Sequence, residues 1–304
     1  MRQLIPLILL SSLLIFLQWP GAFEGIAAPE TSVKSSNDAE VDLSEKEVFR
    51  GRIVNRISRQ TLPFAKIGVL HRNRGTCADH KGNYSLYLSG IKDSDTLRIS
   101  QNGFEADTFL VEQFRNKFTT GVAIIFLNPI SHPPVNLMDY DEDMTRKVIG
   151  NTSMSKSKTT NFVSADLGTE LGVTIQIKRQ ATYLRDLSFN VAQNDYDSLL
   201  LRVNLYYLDN RLPYDAMLNE DIIVIAHNHS GKVSVNLLPY NLIVDEDFFV
   251  SLEWVMELGD TENHHLLFSG GSKSDGNYCR RGSQGDWIHY KGWGPAINIT
   301  AIYE

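Results

Sequence analysis

Between residues 49 and 104 apolar and polar residues alternate in short runs, and clusters of turn-forming residues break the alternation at regular intervals. Phe49, Gly51 and Ile53 fall on one face of the first run, and Ala65, Ile67 and Val69 on one face of the second. Tyr84, Leu86 and Leu88 do so in the third, Leu97 and Ile99 in the fourth. A period of two suits a strand with one face buried, and it suits no helix. The breaks at 58–63, 79–83, 92–95 and 102–103 carry Asp, Asn, Ser, Gly or Pro, residues that make turns of their own or tolerate positive φ. Such a chain is confined to antiparallel strands stacked as a sandwich.

The same stretch carries T-L-P-F-A-K-I-G-V, then R-G-T-C-A-D-H-K-G-N-Y-S-L, then L-R-I-S-Q-N-G-F-E. In that order it resembles the carboxypeptidase regulatory-like domain. That family is a transthyretin-like sandwich found beside zinc carboxypeptidases and at the front of many Gram-negative envelope proteins. The resemblance covers residues 48–128 and implies an Ig/transthyretin-like sandwich acting as a scaffold. Cys77 departs from the family pattern, which has a small or β-branched residue there, but a free cysteine packs as a small hydrophobe.

The chain has 304 residues, 42% hydrophobic and 21% charged, with a formal net charge of −7. That is room for two cores and gives no overall basic field for nucleic acid. Arg280-Arg281 and Arg72/Arg74 are the nearest approach to a basic patch in the sequence. Residues 1–28 read as a secretory signal: Arg2, an apolar run from Leu4 to Leu17 interrupted by Pro6 and two serines, then small residues at Ala27-Ala28. The run is short for a membrane span, so no transmembrane segment is expected after processing. Export permits disulfides, but the only two cysteines, Cys77 and Cys279, fall in different modules and are expected to be unlinked.

Residues 29–45 are polar and acidic and read as a disordered leader. Residues 46–130 form the first sandwich, with a short helical turn at 110–117 and a last strand at 121–127. Prolines at 129, 133 and 134 and the acidic cluster 139–143 open a linker over 131–161. Alternation returns over 162–304, through Val173/Ile175/Ile177, Leu187/Phe189/Val191 and the long run Leu199 to Tyr207, to Ile297/Ile299/Ala301/Tyr303. About eight strands with long polar connections fit a jelly-roll-like β-sandwich. The fold class is all-β.

The family association invites a search for peptidase chemistry. Zinc carboxypeptidases need a His, a Glu three positions later and a distant His, and none of the eight histidines is followed by Glu at that spacing. His227 and His229 share a strand face, but sequence locates no third ligand and they read as the polar end of strand 222–226 entering a turn; His264-His265 point to opposite faces if extended. Gly282-Ser283-Gln284-Gly285 imitates part of a nucleophile elbow, but Arg281 replaces the first glycine and no helix follows, so it reads as a loop. The carboxylate clusters 139–143 and 245–247 read as solvated loops. No cofactor or metal is implied.

The segment 270–295 is unlike the rest, rich in glycine and in exposed-type aromatics. Tyr278, Trp287 and Trp293 offer flat apolar faces, and Arg280, Arg281 and Asp286 offer hydrogen-bonding rims. This is the candidate ligand site, with the competing reading that its tryptophans close a core. The chain therefore reads as an exported, non-catalytic binding or scaffold protein of the bacterial envelope, at the periplasm, cell surface or beyond. Its expected partners are a glycan or an envelope protein, not nucleic acid. Two alternatives stand beside it: a glycan-active hydrolase with carboxylates on the C-terminal sandwich, and a structural spacer.

Overall fold

The alternating runs become strands whose apolar members turn inward. A computed structural model describes residues 47–118, 123–131, 144–178, 181–227, 230–259, 265–272 and 276–303. The expected signal and leader, and the acidic cluster 139–143, lie outside the described residues.

The first sandwich comprises β1 (Val48–Asn55), β2 (Lys66–Val69), β3 (Gly75–Cys77), β4 (Asn83–Tyr87), β5 (Thr96–Ser100), β6 (Asp107–Leu110), α1 (Val111–Lys117) and β7 (Ala123–Leu127). One sheet has the order β4-β1-β7, with β1 antiparallel to β4 and parallel to β7; the other has the order β3-β2-β5-β6. Ile53, Ile67, Leu86, Leu97 and Ile99 meet between them, and α1 adds Val111 and Phe114 to that core.

The second sandwich begins with β8 (Thr145–Gly150), β9 (Thr159–Thr160), β10 (Glu170–Ile175), β11 (Thr182–Asn194) and β12 (Ser198–Asp209). It continues through β13 (Leu212–Ala216), β14 (Ile222–His227), β15 (Gly231–Asn236), β16 (Ile243–Val244) and β17 (Phe248–Leu258). It closes with β18 (Leu266–Gly271), β19 (Asn277–Arg280), β20 (Ile288–Tyr290), β21 (Gly294–Pro295) and β22 (Ile297–Tyr303). A seven-stranded sheet runs β13-β12-β17-β10-β19-β20, with β14 also on β12; an eight-stranded one runs β21-β18-β11-β22-β8, with β9, β15 and β16 attached. Their facing sides bury Leu171, Val173, Leu201, Val203, Phe189 and Ile299. This is the expected two-sheet, jelly-roll-like arrangement.

The linker expected over 131–161 is shorter than the sequence suggests. Residues 145–150 pair along β22 as the outer strand of the eight-stranded sheet, and Thr159–Thr160 pair with β18. Between them Asn151 is buried and donates to the carbonyls of Gly294 (2.9 Å) and Pro295 (3.2 Å). An edge strand needs little apolar content, and here Ile149 alone packs against the core.

The described residues of both sandwiches belong to one compact unit. The outer face of β3-β2-β5-β6 lies against the outer face of the seven-stranded sheet. Phe64 and Cys77 from the first sandwich pack with Val255 from the second, and Leu200, Ile223 and Met256 surround them. The loop 282–285 completes the seam: Gln284 accepts from Arg98 (3.1 Å) and donates to Ser100 (2.8 Å).

Candidate functional site

Arg280 is where the sequence reading and the structure part most clearly. On an alternating strand the residues opposite the core face point away from it. In β10, β12, β17 and β19 those positions hold Glu170, Arg202, Asn204, Tyr206, Ser251, Glu253 and Arg280, and all are buried because the first sandwich covers them. Lys66 of β2 enters from that sandwich, 3.1 Å from Glu253 Oε2 and 3.5 Å from Glu170 Oε1, and donates to Tyr206 Oη at 2.8 Å. Arg202 forks onto Glu253 at 2.9 and 2.8 Å and spends its remaining nitrogen on the Phe64 carbonyl (2.8 Å) and Asp221 (3.0 Å). Arg280 is paired with Glu170.

Three cations (Lys66, Arg202, Arg280) thus meet three carboxylates (Glu170, Glu253, Asp221). Burial works against the Lys66 ammonium, but Glu170 and Glu253 outweigh it and raise its pKa. Burial likewise opposes the Glu253 carboxylate, but Arg202 and then Lys66 hold it down at about 2. Lys66 and Glu253 are therefore both charged at neutral pH. The cluster is a seam between sandwiches, and Arg280 is committed to it.

The other residues of the aromatic segment disperse. Trp287 is half-buried, with its ring 5.0 Å from Phe249 and the Arg280 guanidinium 4.7 Å above it, so it covers the outer face of the seven-stranded sheet. Asp286 is exposed and pairs with His71 of the first sandwich at 2.7 Å. Arg281 is exposed, and its carbonyl accepts from the Thr169 hydroxyl at 2.7 Å. Trp293 is 41% exposed, carries the Lys158 ammonium 4.3 Å over its ring, and is anchored by its carbonyl to Asn277 (2.9 Å). Tyr278 stacks on His289 at 4.5 Å, nearly parallel. Ser283 is fully buried in the seam. His227 bonds Ser198 at 3.0 Å, and His265 pairs with Asp195; His229 and His264 lie outside the described residues.

Of the six, Tyr278 lines a cleft. This cavity, of about 570 Å³, opens beside the ends of β8, β10 and β12. Lys147 and Val148 come from β8, Thr174, Gln176 and Lys178 from β10 and the chain after it, and Asp247 from the start of β17. Asp247 is fixed by the Ile177 N–H at 2.8 Å. Arg211 reaches the rim from the β12–β13 turn, where Asn210 (φ 49°) and Arg211 (φ 67°) both adopt the left-handed conformation. Two successive residues of that kind make the tight hairpin turn that matches strand twist. The result is a stiff aromatic plate with an amide, a hydroxyl, three cations and one carboxylate around it. Its volume suits a small ligand.

Sequence reading named Tyr278 but missed Lys147, Gln176 and Arg211, which come from three separate strands or turns. The Asn-Arg pair between two apolar runs was the available signal, since it marks a hairpin. Compared with protein-family models and with curated proteins, the chain matches none.

Proposed function

We propose that this is an exported, non-catalytic binding protein of the cell envelope, built on a rigid two-sandwich scaffold and taking a glycan in the Tyr278 cleft. The observation that carries the reading is Tyr278, stacked on His289, in a cavity that also presents Thr174, Gln176, Arg211 and Asp247 beside the apolar Val148, Ile149 and Leu208. A sugar ring has an apolar C–H face and a rim of hydroxyls. Tyr278 suits the first; Gln176, Thr174, Arg211 and Asp247 suit the second. The first sandwich, with its parallel β1–β7 pair and buried seam, is proposed as a regulatory-like domain holding the cleft-bearing sandwich rather than acting on the ligand. Against a hydrolase, the register partners Glu170 and Glu253 are both buried and paired with cations, and among the described residues the lining of the Tyr278 cavity carries one carboxylate, Asp247.

Calorimetric titration with soluble oligosaccharides released from envelope polysaccharides tests this. Wild-type protein should bind, and Tyr278→Ala, still folded, should bind roughly tenfold more weakly, the scale of a lost aromatic contact. If no saccharide binds the wild type, or if the folded variant binds unchanged, the spacer reading replaces this one. The spacer reading has its own support in the ionic seam, which fixes the two sandwiches against each other.

A further inference from the structure

The outer face of the β4-β1-β7 sheet, on the side away from the sheet that meets the second sandwich, gathers arginines. Arg50 and Arg52 project from β1 with a spacing of two, on the side opposite Gly51 and Ile53. Arg56 and Arg59 follow in the turn after β1, and both guanidinium groups lie over the Phe126 ring of β7, at 5.8 and 4.9 Å. All four are exposed. Among the described residues none has a carboxylate partner. Arg52 donates to Asn83 Oδ1 at 3.0 Å and Arg56 to the Phe126 carbonyl at 3.3 Å.

Two carboxylates of the same sandwich are engaged elsewhere. Asp79 accepts from the backbone of Lys81 and Asn83 and from the Asn83 amide, and Glu105 accepts from Asn128. Between the arginines stand large apolar side chains in water: Ile57 at 77%, Tyr87 at 52% and Ile124 at 49% exposure. Ile57 sits at the tip of a turn held by Asn55, whose side-chain oxygen takes the N–H groups of Ile57 (2.8 Å) and Ser58 (3.1 Å). The apolar residue is therefore presented rather than loosely hung.

We propose that this face docks on a phospholipid surface bearing anionic headgroups. Guanidinium forks match phosphate oxygens in pairs, and four exposed guanidinium groups without a carboxylate partner, on one sheet face and the turn that follows it, fit an array of phosphates. Charge complementarity alone would also admit a soluble polyanion. The apolar side chains decide for lipid, since a polyanion gives Ile57, Ile124 and Tyr87 nothing to bury against, whereas the headgroup–acyl boundary does. The face lies away from both the Tyr278 cleft and the seam, so docking leaves the cleft free.

Vesicle co-sedimentation tests it, with the same N-terminal sequence kept in every variant. The protein should sediment with phosphatidylglycerol-containing vesicles and much less with pure phosphatidylcholine, and added salt should weaken the binding. Arg50→Gln/Arg52→Gln should reduce partition by roughly tenfold or more. Ile57→Ser should weaken it while leaving its salt dependence in place. Thermal melts matching the wild type establish that each variant is folded. Equal sedimentation with both vesicle types, unchanged partition of the double variant, or binding to a soluble polyanion with none to vesicles would each overturn the proposal.

Discussion

Glu170 and Glu253 are register partners on the neighbouring strands β10 and β17, and both carboxylates are completely buried. Two like charges side by side in a protein interior are unfavourable unless cations stand on every open side. Lys66, Arg202 and Arg280 do so, and Ser251, Asn204 and Tyr206 supply the remaining donors to Glu170. One of the cations comes from the other sandwich. The pair therefore ties the two sandwiches together through Lys66.

Glu253→Gln should be strongly destabilising, because it strips Arg202 and Lys66 of their shared counter-charge while they stay buried. A loss of about 3–5 kcal/mol is expected from denaturant unfolding, the usual cost of breaking a buried pair from one side. Adding Lys66→Met should recover part of it, since Arg202 then keeps Asp221 and Arg280 keeps Glu170. Strict additivity of the two substitutions would show that Lys66 and Glu253 do not act together.

Acid should open the seam late. Glu253 in the folded protein is held down at about 2, below the ordinary glutamate value of 4.5, mainly against burial and by Arg202. A depressed carboxyl contributes stability that is present above the unfolded value and lost as pH falls through the folded one. The stability curve should therefore fall between about pH 4.5 and pH 2. Glu253→Gln should flatten that fall. At the alkaline end the raised Lys66 should hold its contribution until pH exceeds the ordinary lysine value.

The alternating runs were readable because one face of each strand is apolar whatever lies on the other. The seam was not readable for the same reason. In S-L-L-L-R-V-N-L-Y-Y-L-D, Arg202 and Asn204 occupy the positions that pattern assigns to water, and so does Glu253 between Leu252 and Trp254. Whether such positions meet solvent or another sheet depends on residues more than a hundred positions away, such as Lys66. Arg50, Arg52, Arg56 and Arg59 looked scattered because strand spacing and a turn separate them, and only pairing with β7 gathers them on one face. The cleft was less legible still, its walls being drawn from β8, β10 and the β12–β13 turn.

Cys77 and Cys279 should not react with a thiol reagent in the native protein. Both are free and 2% exposed, and burial pushes both thiols up to about 12. The reactive species is the thiolate, which is scarce at neutral pH under those conditions. Labelling should appear only with global unfolding, two thiols per chain, and a non-reducing peptide map should recover the two cysteines apart. Rapid labelling of Cys77 in folded protein would mean that the seam opens on its own.

Gly68 and Gly75 should tolerate nothing larger. A Cβ on either would overlap the Ser283 carbonyl oxygen, which belongs to the opposite side of the seam. Both are strand residues without positive φ, so a backbone preference for glycine is not the constraint. Gly68→Ala should push the 282–285 loop outward and raise amide exchange there and around Gln284, while the core of the first sandwich keeps its protection. Gly90→Ala is a useful contrast: nothing lies within 4 Å of a Cβ there, and any cost comes from its φ of 76°. Equal exchange in Gly68→Ala and wild type would mean the close approach is not maintained in solution.

The segment around Asn151 should resist proteases, although its sequence, N-T-S-M-S-K-S-K-T-T-N, reads as an open connection. Asn151 donates to two carbonyls of β21, its side-chain oxygen accepts from the Ser153 N–H, and its backbone N–H reaches the Ile297 carbonyl at 2.8 Å. Gly271 leaves the space the amide occupies, since a Cβ there would meet Asn151. Asn151→Ala would leave the Gly294 and Pro295 carbonyls without this donor. The expected cost is about 1–3 kcal/mol, the range for buried polar groups stripped of a partner. The variant, but not the wild type, should be cut within residues 151–161 under limited digestion. Cleavage of the wild type there at an equal rate would restore the linker reading of that segment.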